Sequence, residues 1–375
     1  MMSHHASPVV ATPFPGPKPR EHRTPGARGS ELSLTFRPLP GESTLALLSR
    51  MSVALRNTTL LHVVIFGCAD TAHATMRAMQ HLFGAIDWPI TWVDGIACDG
   101  NSIAGIQATA LATGTVDRIR LNGRVVASVF HDDAARHCLV GGIGPDDPSV
   151  PRFEQTRQTL ENLHLALADA GFSIADTVRT WFFLDDILSW YGTFNRARTQ
   201  VYSDIEFRTG SLPASTGVGA RNPDGAALVL AARAMRPLTS AASAVEVASP
   251  LQCPAPNYGS SFSRAMEISS THGRQLFISG TASIAPGGET LWQHEIDKQV
   301  DLTMNVVQAI LDSRGFKFDH LSRAVAYFKR STDIHAFTAW CAARGFVSLP
   351  VILTRCDICR PDLAFEFEAD AVKRS

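Results

Sequence analysis

The chain has 375 residues, 45% of them hydrophobic and 18% charged, which is the composition of a globular protein with two or three packed units. Its formal net charge is −1 at pH 7, and its longest apolar run, residues 59–69, is about half of a bilayer span, so neither a nucleic acid nor a membrane is expected as a partner. The seven cysteines are scattered and odd in number, which favours free thiols and a cytoplasmic location.

Residues 1–44 differ in composition from the rest of the chain. They contain eight of the 21 prolines and show no apolar periodicity. We therefore predict a disordered, proline-rich leader that carries no site residue.

The next segment, residues 45–125, contains two strand-like runs, 61–67 and 90–93. Between them the apolar spacing predicts one helix over 71–83. We interpret the segment as a degenerate copy of the repeat that follows it.

An internal repeat organises the remainder of the chain. The segment that begins at Gln155 aligns without a gap on the segment that begins at Gln299, an offset of 144 residues. Identical residues recur at matching places: Gly171 and Gly315, Phe172 and Phe316, Arg179 and Arg323. Each copy predicts an amphipathic helix that ends at a glycine and is followed by a strand.

The flanking segments repeat as well, so that each copy reads as strands, helix, strand, helix and strand. This order predicts an α+β layer with helices on one face of a sheet. We expect a degenerate unit at 45–125 and two clear units at 126–240 and 245–375.

The closing strands of the two clear copies differ in their charges. Leu363-Ala-Phe-Glu-Phe-Glu368 aligns with Leu228-Val-Leu-Ala-Ala-Arg233, so Ala231 stands where the second copy has Glu366. The strand period of two places Glu366 on the face without helices. If units pack there, burial raises the carboxyl pKa, as a general acid at neutral pH requires. The alternative is an exposed strand carboxylate.

A group of cationic and aromatic residues distinguishes the first clear copy. Arg179 lies in its predicted strand, and the following helix has Tyr191 and Arg198 seven residues apart, which places both on one helix face. Arginines bind planar carboxylates through paired hydrogen bonds and would suit a dianionic substrate. The alternative is a helix surface with ordinary salt bridges.

Two further motifs give weaker signals. Cys356-Asp-Ile-Cys359 has the spacing of a redox or zinc motif, but no second such pair accompanies it, and in an extended segment the two thiols point to opposite faces. We expect no metal and no cofactor. Ser215-Thr-Gly-Val-Gly219 lacks the lysine of a phosphate-binding loop, so we interpret it as a tight segment that lets a ligand approach the backbone.

The repeat unit resembles the Rid superfamily of reactive intermediate deaminases, whose small subunits form trimers around a barrel with clefts between subunits. The similarity rests on FISGTASI at Phe277, the helix–Gly–Phe turn, the RTWFFLDDI strand and the terminal FEFEA. A deaminase of that family uses an arginine just after a Leu-Pro-like turn. Here Ala214 and Val351 stand at those positions, so imine hydrolysis is not expected.

The duplicated arrangement is more similar to the chorismatases, in which one chain folds like a whole Rid trimer. The resemblance spans residues 45–375. Its motifs are RTWFF at Arg179, Tyr191-x-x-Phe-Asn-x-x-Arg198, Pro213-Ala-Ser-Thr-Gly-Val-Gly219, Pro256-x-Tyr258-Gly, Phe262-Ser-Arg264-Ala, Phe277-Ile-Ser-Gly280 and Cys359-Arg-Pro-Asp-Leu-Ala-Phe-Glu366. It implies tandem α+β Rid/YjgF-like (chorismate-mutase-like) units that form a pseudo-trimeric barrel within one monomeric chain.

The resemblance also implies an activity, the conversion of chorismate to 3-hydroxybenzoate and pyruvate without a cofactor. Glu366 matches the family's catalytic acid. Gly280 and Cys359 match the members that form 3-hydroxybenzoate, whereas members that hydrolyse chorismate to 3,4-dihydroxycyclohexa-1,5-dienoate have alanine at both places. The substrate-binding residues implied are Arg179, Tyr191, Arg198, Gly217, Tyr258, Arg264 and Lys329.

Three alternatives stay open at this point. One is a chorismate hydrolase that gives 3,4-dihydroxycyclohexa-1,5-dienoate. A related group of chorismatases makes both 3- and 4-hydroxybenzoate. A Rid-like protein that binds a small carboxylate without turning it over is the non-enzymatic alternative.

Overall fold

Three mixed β-sheets, each covered by two helices, make up the computed structural model of the chain, which describes residues 22–23 and 30–374. The first sheet has the strand order β1-β2-β6-β3-β4. Its elements are β1 (His22–Arg23), β2 (Glu31–Phe36), α1 (Thr44–Ala54), β3 (Thr59–Gly67), α2 (Ala72–Phe83), β4 (Ile90–Val93) and β6 (Ile103–Leu111). A short strand between β4 and β6, β5 (Ile96–Ala97), pairs with the third sheet instead.

The prediction of a disordered leader is wrong for residues 31–36. In β2, Leu32, Leu34 and Phe36 are buried in the core beneath α1 and α2. On the opposite face, Glu31 accepts two hydrogen bonds, at 2.8 and 2.7 Å, from the guanidinium of Arg233 in the second sheet. These partners are distant in sequence, so local composition gave no sign of the strand. The other leader residues before Ser30, apart from β1, lie outside the described residues.

The second sheet has the strand order β7-β8-β9-β12-β10-β11. Its elements are β7 (Asp117–Leu121), β8 (Arg124–His131), β9 (Ala135–Ile143), α3 (Arg152–Asp169), β10 (Thr177–Leu184), α4 (Ile187–Tyr202), β11 (Ala214–Gly219) and β12 (Leu228–Pro237). The glycine-rich segment predicted as a tight stretch is thus a regular strand, β11, in parallel register with β10.

The third sheet has the strand order β13-β14-β15-β18-β16-β17-β5. Its elements are β13 (Ser243–Val247), β14 (Ala265–Ser270), β15 (Gly273–Ala282), α5 (Ile296–Ser313), β16 (Leu321–Phe328), α6 (Ile334–Ala343), β17 (Val351–Arg355) and β18 (Phe365–Arg374). In the part of the chain that the structure describes, no helix combines the length and the apolar character that crossing a bilayer requires.

The predicted helix–glycine–strand repeat is confirmed. Both ends of α3 and α5 differ by 144 residues, as do both ends of β10 and β16. The glycine after each helix, Gly171 or Gly315, has φ of 73° or 72°, a left-handed conformation that glycine adopts without strain.

The three sheets share one strand order around the last strand of each copy: β2-β6-β3-β4, β9-β12-β10-β11 and β15-β18-β16-β17. The register corrects one alignment made from the sequence. Tyr327 pairs with Glu366, and Phe183, its counterpart 144 residues earlier, pairs with Val229. Glu366 therefore corresponds to Val229 and not to Ala231.

The faces without helices pack against one another. The Phe66 ring lies 6.2 Å from that of Phe183 and 6.3 Å from that of Tyr327. Each of the three sheets therefore contributes one aromatic side chain to a cluster in the interior. In the first sheet, Phe66 occupies the place that Phe183 and Tyr327 occupy in the other two sheets, and it pairs with Gly105. Gly105 is therefore the counterpart of Glu366 in the first sheet. The closure of the sheets into a pseudo-trimeric barrel, and the unit boundaries 45–125, 126–240 and 245–375, stay predictions.

Candidate active site

Glu366 lies on β18, on the face that packs against the second sheet, and is 4% exposed. The alternative of an exposed strand carboxylate is therefore wrong. Burial, reinforced by the negative charge of Glu368, raises the pKa of Glu366 to about 8, although Arg179 opposes the shift. No hydrogen-bond partner for its carboxyl is found among the described residues. Near neutral pH the group is thus protonated, and its proton is free to move to a ligand.

A cavity of about 210 Å³ opens in front of Glu366, between the second and third sheets. Eight of the ten predicted site residues line it: Glu366, Cys359, Gly280, Tyr191, Arg198, Gly217, Tyr258 and Arg264. They come from α4, β11, β15, β18 and the loops beside them, so neither sheet alone forms the site.

Arg179 and Lys329 do not line this cavity. Arg179 is fully buried, and its Nη2 lies 2.7 Å from Glu368 Oε2, with which it forms an ion pair. The register of β10 directs it into the interior between the sheets. The Nζ of Lys329 donates to the carbonyl of Pro361 at 2.6 Å. Neither side chain is placed to bind a ligand of the cavity.

Three arginines give the cavity its charge. Arg198 is 2% exposed, and its Nη2 donates to Asn195 Oδ1 at 2.9 Å. Its Nε has no hydrogen-bond partner among the described residues. Arg264 donates to the carbonyl of Cys253 through two nitrogens, at 2.9 and 2.8 Å.

Arg360 completes the set, and its Nη1 donates to the carbonyl of Gly288 at 2.7 Å. Within the described residues, no carboxylate lies within ion-pair distance of Arg198, Arg264 or Arg360. Buried cations without a counter-charge are costly, so the cavity is suited to an anionic ligand.

Aromatic side chains hold these arginines in place. The guanidinium carbons of Arg264 and Arg360 each lie 5.4 Å from the ring centroid of Tyr258, a distance typical of cation–π contacts. The guanidinium carbon of Arg198 lies 4.9 Å from the ring of Phe194. Burial raises the pKa of Tyr191 above its ordinary value, so its hydroxyl stays protonated and can donate a hydrogen bond.

Comparisons with known proteins bear on this geometry. Residues 140–229 match the family model described as Endoribonuclease L-PSP. The 3-hydroxybenzoate synthase of Streptomyces hygroscopicus is 27% identical over 249 residues, which cover 59% of this chain and 70% of that protein. The chorismatase of the same organism is 25% identical over 213 residues, which cover 51% of this chain and 60% of that protein. The chain is thus similar in sequence to chorismatases over at least half of its length.

The resemblance to chorismatases and to the Rid/YjgF (L-PSP) superfamily that the sequence indicated is confirmed. A chorismatase crystal structure at 1.08 Å resolution superposes with a TM-score of 0.63 at 20% identity, covering 84% of this chain and 93% of that one. This likeness shows a shared fold.

Gly280 and Cys359, the two positions from which the resemblance implied the product, both line the cavity with Glu366. A Cβ added to Gly280 would overlap Glu366 Oε1 and come within 3.2 Å of Thr216 Cγ2. Glycine is therefore required for the observed position of the Glu366 carboxyl. Burial, together with the Glu366 carboxylate that forms at high pH, raises the pKa of the Cys359 thiol to about 12, so the thiol is neutral near pH 7. Cys356 and Cys359 are both free.

Sequence reasoning missed one residue that lines the cavity, Arg360, and two that lie behind it, Thr216 and Glu368. Arg360 follows Cys359 directly, but a single arginine in a loop gives no pattern. Thr216 was noted only as part of a glycine-rich segment. Glu368 is fully buried two residues beyond Glu366, and its period-two spacing from the acid was the one available signal. No group of three or more His, Cys, Asp or Glu in the described residues is arranged to hold a metal ion.

Proposed function

We propose that the protein converts chorismate to 3-hydroxybenzoate and pyruvate, with Glu366 as the general acid. The observation that carries the proposal is a protonated, buried carboxyl in the same cavity as three arginines that have no carboxylate partner in the part of the chain that the structure describes. Chorismate is a dicarboxylate with an enol ether. It therefore needs two cationic contacts and one proton donor, which this set of residues provides.

The reaction begins with transfer of the Glu366 proton to the terminal methylene of the enol ether. The resulting oxocarbenium ion withdraws electrons from the bond between the ether oxygen and the ring. When that bond breaks, its electron pair stays on the oxygen and pyruvate leaves. The oxygen of the adjacent ring hydroxyl bonds to the carbon that the ether leaves and gives up its O–H proton, which forms an epoxide. The bond from this oxygen to its original carbon then breaks, the oxygen takes up a proton again, and the ring carbon that now carries it loses its hydrogen as a proton, so the ring becomes aromatic with a net release of one proton. That proton restores Glu366, so no water is consumed.

The arginines and tyrosines hold the substrate for this step. Arg198, Arg264 and Arg360 bind the two carboxylates, and Tyr191 and Tyr258 bound the ring. Desolvation in the cavity strengthens these ionic contacts. Gly280 lets the Glu366 carboxyl approach closely, and the neutral Cys359 thiol lies on the same wall. Both features support the 3-hydroxybenzoate route over hydrolysis.

The test is incubation of the purified protein with chorismate. Pyruvate is followed through lactate dehydrogenase, and the ring products are separated by chromatography. We expect 3-hydroxybenzoate and pyruvate in equal amounts. Glu366→Gln should abolish most of the release, whereas Glu246→Gln, an exposed carboxylate on β13, should not affect it.

The other outcomes each identify a different function. A mixture of 3- and 4-hydroxybenzoate would indicate the bifunctional type. 3,4-Dihydroxycyclohexa-1,5-dienoate would indicate the hydrolase. Binding of chorismate without any pyruvate would indicate the non-enzymatic carboxylate-binding protein and would contradict the proposal.

A further inference from the structure

A second buried carboxylate, Glu368, lies next to the candidate site without lining its cavity. It sits on β18 two residues after Glu366, on the same strand face, and is fully buried. Both of its oxygens are held by donors, which are Arg179 Nη2 at 2.7 Å, Thr216 Oγ1 at 2.5 Å, Arg323 Nη2 at 2.7 Å and Tyr327 OH at 3.2 Å. Two guanidinium groups keep the pKa of Glu368 below its ordinary range despite burial. Glu368 is therefore an anion.

Thr216 connects this anion to the site. Its hydroxyl donates its one proton to Glu368, and the same oxygen accepts hydrogen bonds from Arg179 Nη2 at 2.7 Å and from the backbone N–H of Gly280 at 3.0 Å. One donor and two acceptor sites are all that a hydroxyl has, so Thr216 has a single orientation. The link crosses from β11 of the second sheet to β15 of the third.

The position of the Gly280 backbone in turn limits where the Glu366 carboxyl can lie. Its Cα lies so close to the Glu366 carboxyl that even a methyl group would not fit between them. The backbone at Gly280 is thus one wall of the Glu366 site. A shift of that backbone would change both the direction of the acidic proton and the space in front of it.

The interface between the first and second sheets provides an internal comparison. There the backbone N–H of Gly142 donates to Thr91 Oγ1, also at 3.0 Å. That threonine contacts His62 Nε2 at 2.9 Å instead of a carboxylate. At this interface Val229 stands in the place of Glu366. Both interfaces therefore share the hydrogen bond from a glycine N–H to a threonine hydroxyl. They differ in the group that contacts this threonine, which is a carboxylate at the interface with Glu366 and a histidine at the other.

We propose that Glu368 is a positioning residue for Glu366 and acts through Thr216 and the backbone of Gly280. The inference rests on the proposed function and adds a residue that never touches the substrate. Glu368 also acts through its charge, because an anion beside Glu366 disfavours ionisation of the acid. The charged or titratable groups that face this pair from the surrounding strands are Arg179, Arg323, Tyr327 and Asp370, with His62 beyond Arg323. From α4 and the loop before β18, Tyr191 and Cys359 face Glu366.

The first test compares Thr216→Val with Thr216→Ser. Valine keeps the shape of threonine and removes the hydroxyl, while both ion pairs of Glu368 remain. We expect kcat to fall about tenfold in Thr216→Val, with KM for chorismate within about threefold of wild type because no substrate contact is lost. Thr216→Ser should stay within about threefold in both constants. A kcat of Thr216→Val within threefold of wild type would overturn the proposal.

A second readout does not depend on turnover. The Glu366 carboxyl is titrated by carbon-13 NMR in protein labelled at glutamate, with Glu366→Gln for assignment. We expect its midpoint to change in Thr216→Val and to stay at the wild-type value in Thr216→Ser. Identical curves in the two variants would overturn the positioning role. A wild-type protein that releases no pyruvate would instead refute the proposed function, and the titration would still decide the role of Glu368.

The third test is the pH dependence of Glu368→Gln. The acid form of Glu366 is present below its pKa, so activity is lost as pH rises through that value. Removing the anion lowers the pKa of Glu366, so the alkaline limb of the kcat profile should move to lower pH. An unmoved limb would contradict the role of the charge. If this variant fails to fold because Arg179 and Arg323 lose their partner, the Thr216 pair decides.

Discussion

Product choice is most directly tested at Gly280 and Cys359 together. In Gly280→Ala, the new methyl group overlaps Glu366 Oε1 and approaches Glu366 Cδ to 3.1 Å. Thr216 Cγ2 limits movement on the other side, at 3.2 Å, so the Glu366 side chain has to rotate. Cys359→Ala removes the neutral thiol from the same wall. The perturbation therefore redirects the acid and enlarges the space beside the ring.

The size of the effect follows from the cost of that rotation. Holding a side chain off its preferred rotamer costs about 0.5–1.5 kcal/mol, and about 1.4 kcal/mol changes a ratio of two rates tenfold. We therefore expect the double variant to shift the product ratio about two- to tenfold from 3-hydroxybenzoate toward 3,4-dihydroxycyclohexa-1,5-dienoate. Pyruvate release should survive, because proton transfer from Glu366 begins both routes.

The assay is chromatography of the ring products at equal extents of pyruvate release. Gly144→Ala is a matched control, since its added Cβ has no neighbour nearer than Leu228 O at 3.7 Å and Gly144 lies outside the cavity. An unchanged product ratio in the double variant, at undiminished turnover, would show that Gly280 and Cys359 do not steer the reaction.

Four further predictions follow from the described contacts. Glu366→Gln should lower turnover about 10²- to 10⁴-fold with an unchanged circular dichroism spectrum, and turnover within a few-fold of wild type would refute its role as acid. The kcat of the wild-type enzyme should fall as pH rises through about 8, the pKa of Glu366, and a profile flat to pH 9.5 would contradict this. Glu31→Gln should lower the free energy of unfolding by about 3–5 kcal/mol, because Arg233 becomes an unpaired buried cation, and thermal or urea unfolding measures the loss. Sedimentation velocity should show a monomer, and an obligate trimer would contradict the interpretation of 45–125 as a third unit.

Local patterns in the sequence were sufficient to predict the repeated elements. The apolar spacing and the terminal glycines of α3 and α5 predicted two helices of equal length, each followed by a strand, because these signals come from residues a few positions apart. The same reasoning placed Glu366 on the correct face of β18, since alternation along a strand depends only on odd and even positions.

Alternation does not determine register, and this is why Ala231 was matched to Glu366. A shift of two residues keeps every side chain on its face, so only the pairing of Phe183 with Val229 and of Tyr327 with Glu366 shows the true correspondence. The register also shifts where β12 pairs with β9 and where β18 pairs with β15, which adds to the ambiguity.

Contacts between distant segments were beyond prediction for a different reason. Arg179 and Arg198 looked equally suitable as carboxylate ligands in the sequence. Arg179 forms an ion pair with Glu368, which lies 189 residues further along the chain. No local pattern could therefore indicate that this arginine was already paired. Glu31 was likewise assigned to the leader because its partner, Arg233, lies 202 residues away.

Encoding the three matching sheets in one chain has a consequence for the electrostatics of the interior. In an assembly of identical subunits, every mutation is multiplied by the symmetry, so a single new acid would place three carboxyls around one axis. Mutual repulsion and lost hydration would then be incurred at all three places. Here Glu366, Val229 and Gly105 occupy corresponding positions, so the ionisable group is introduced once. Its neighbours can then be tuned to that group alone, while the other two interfaces remain uncharged at that position.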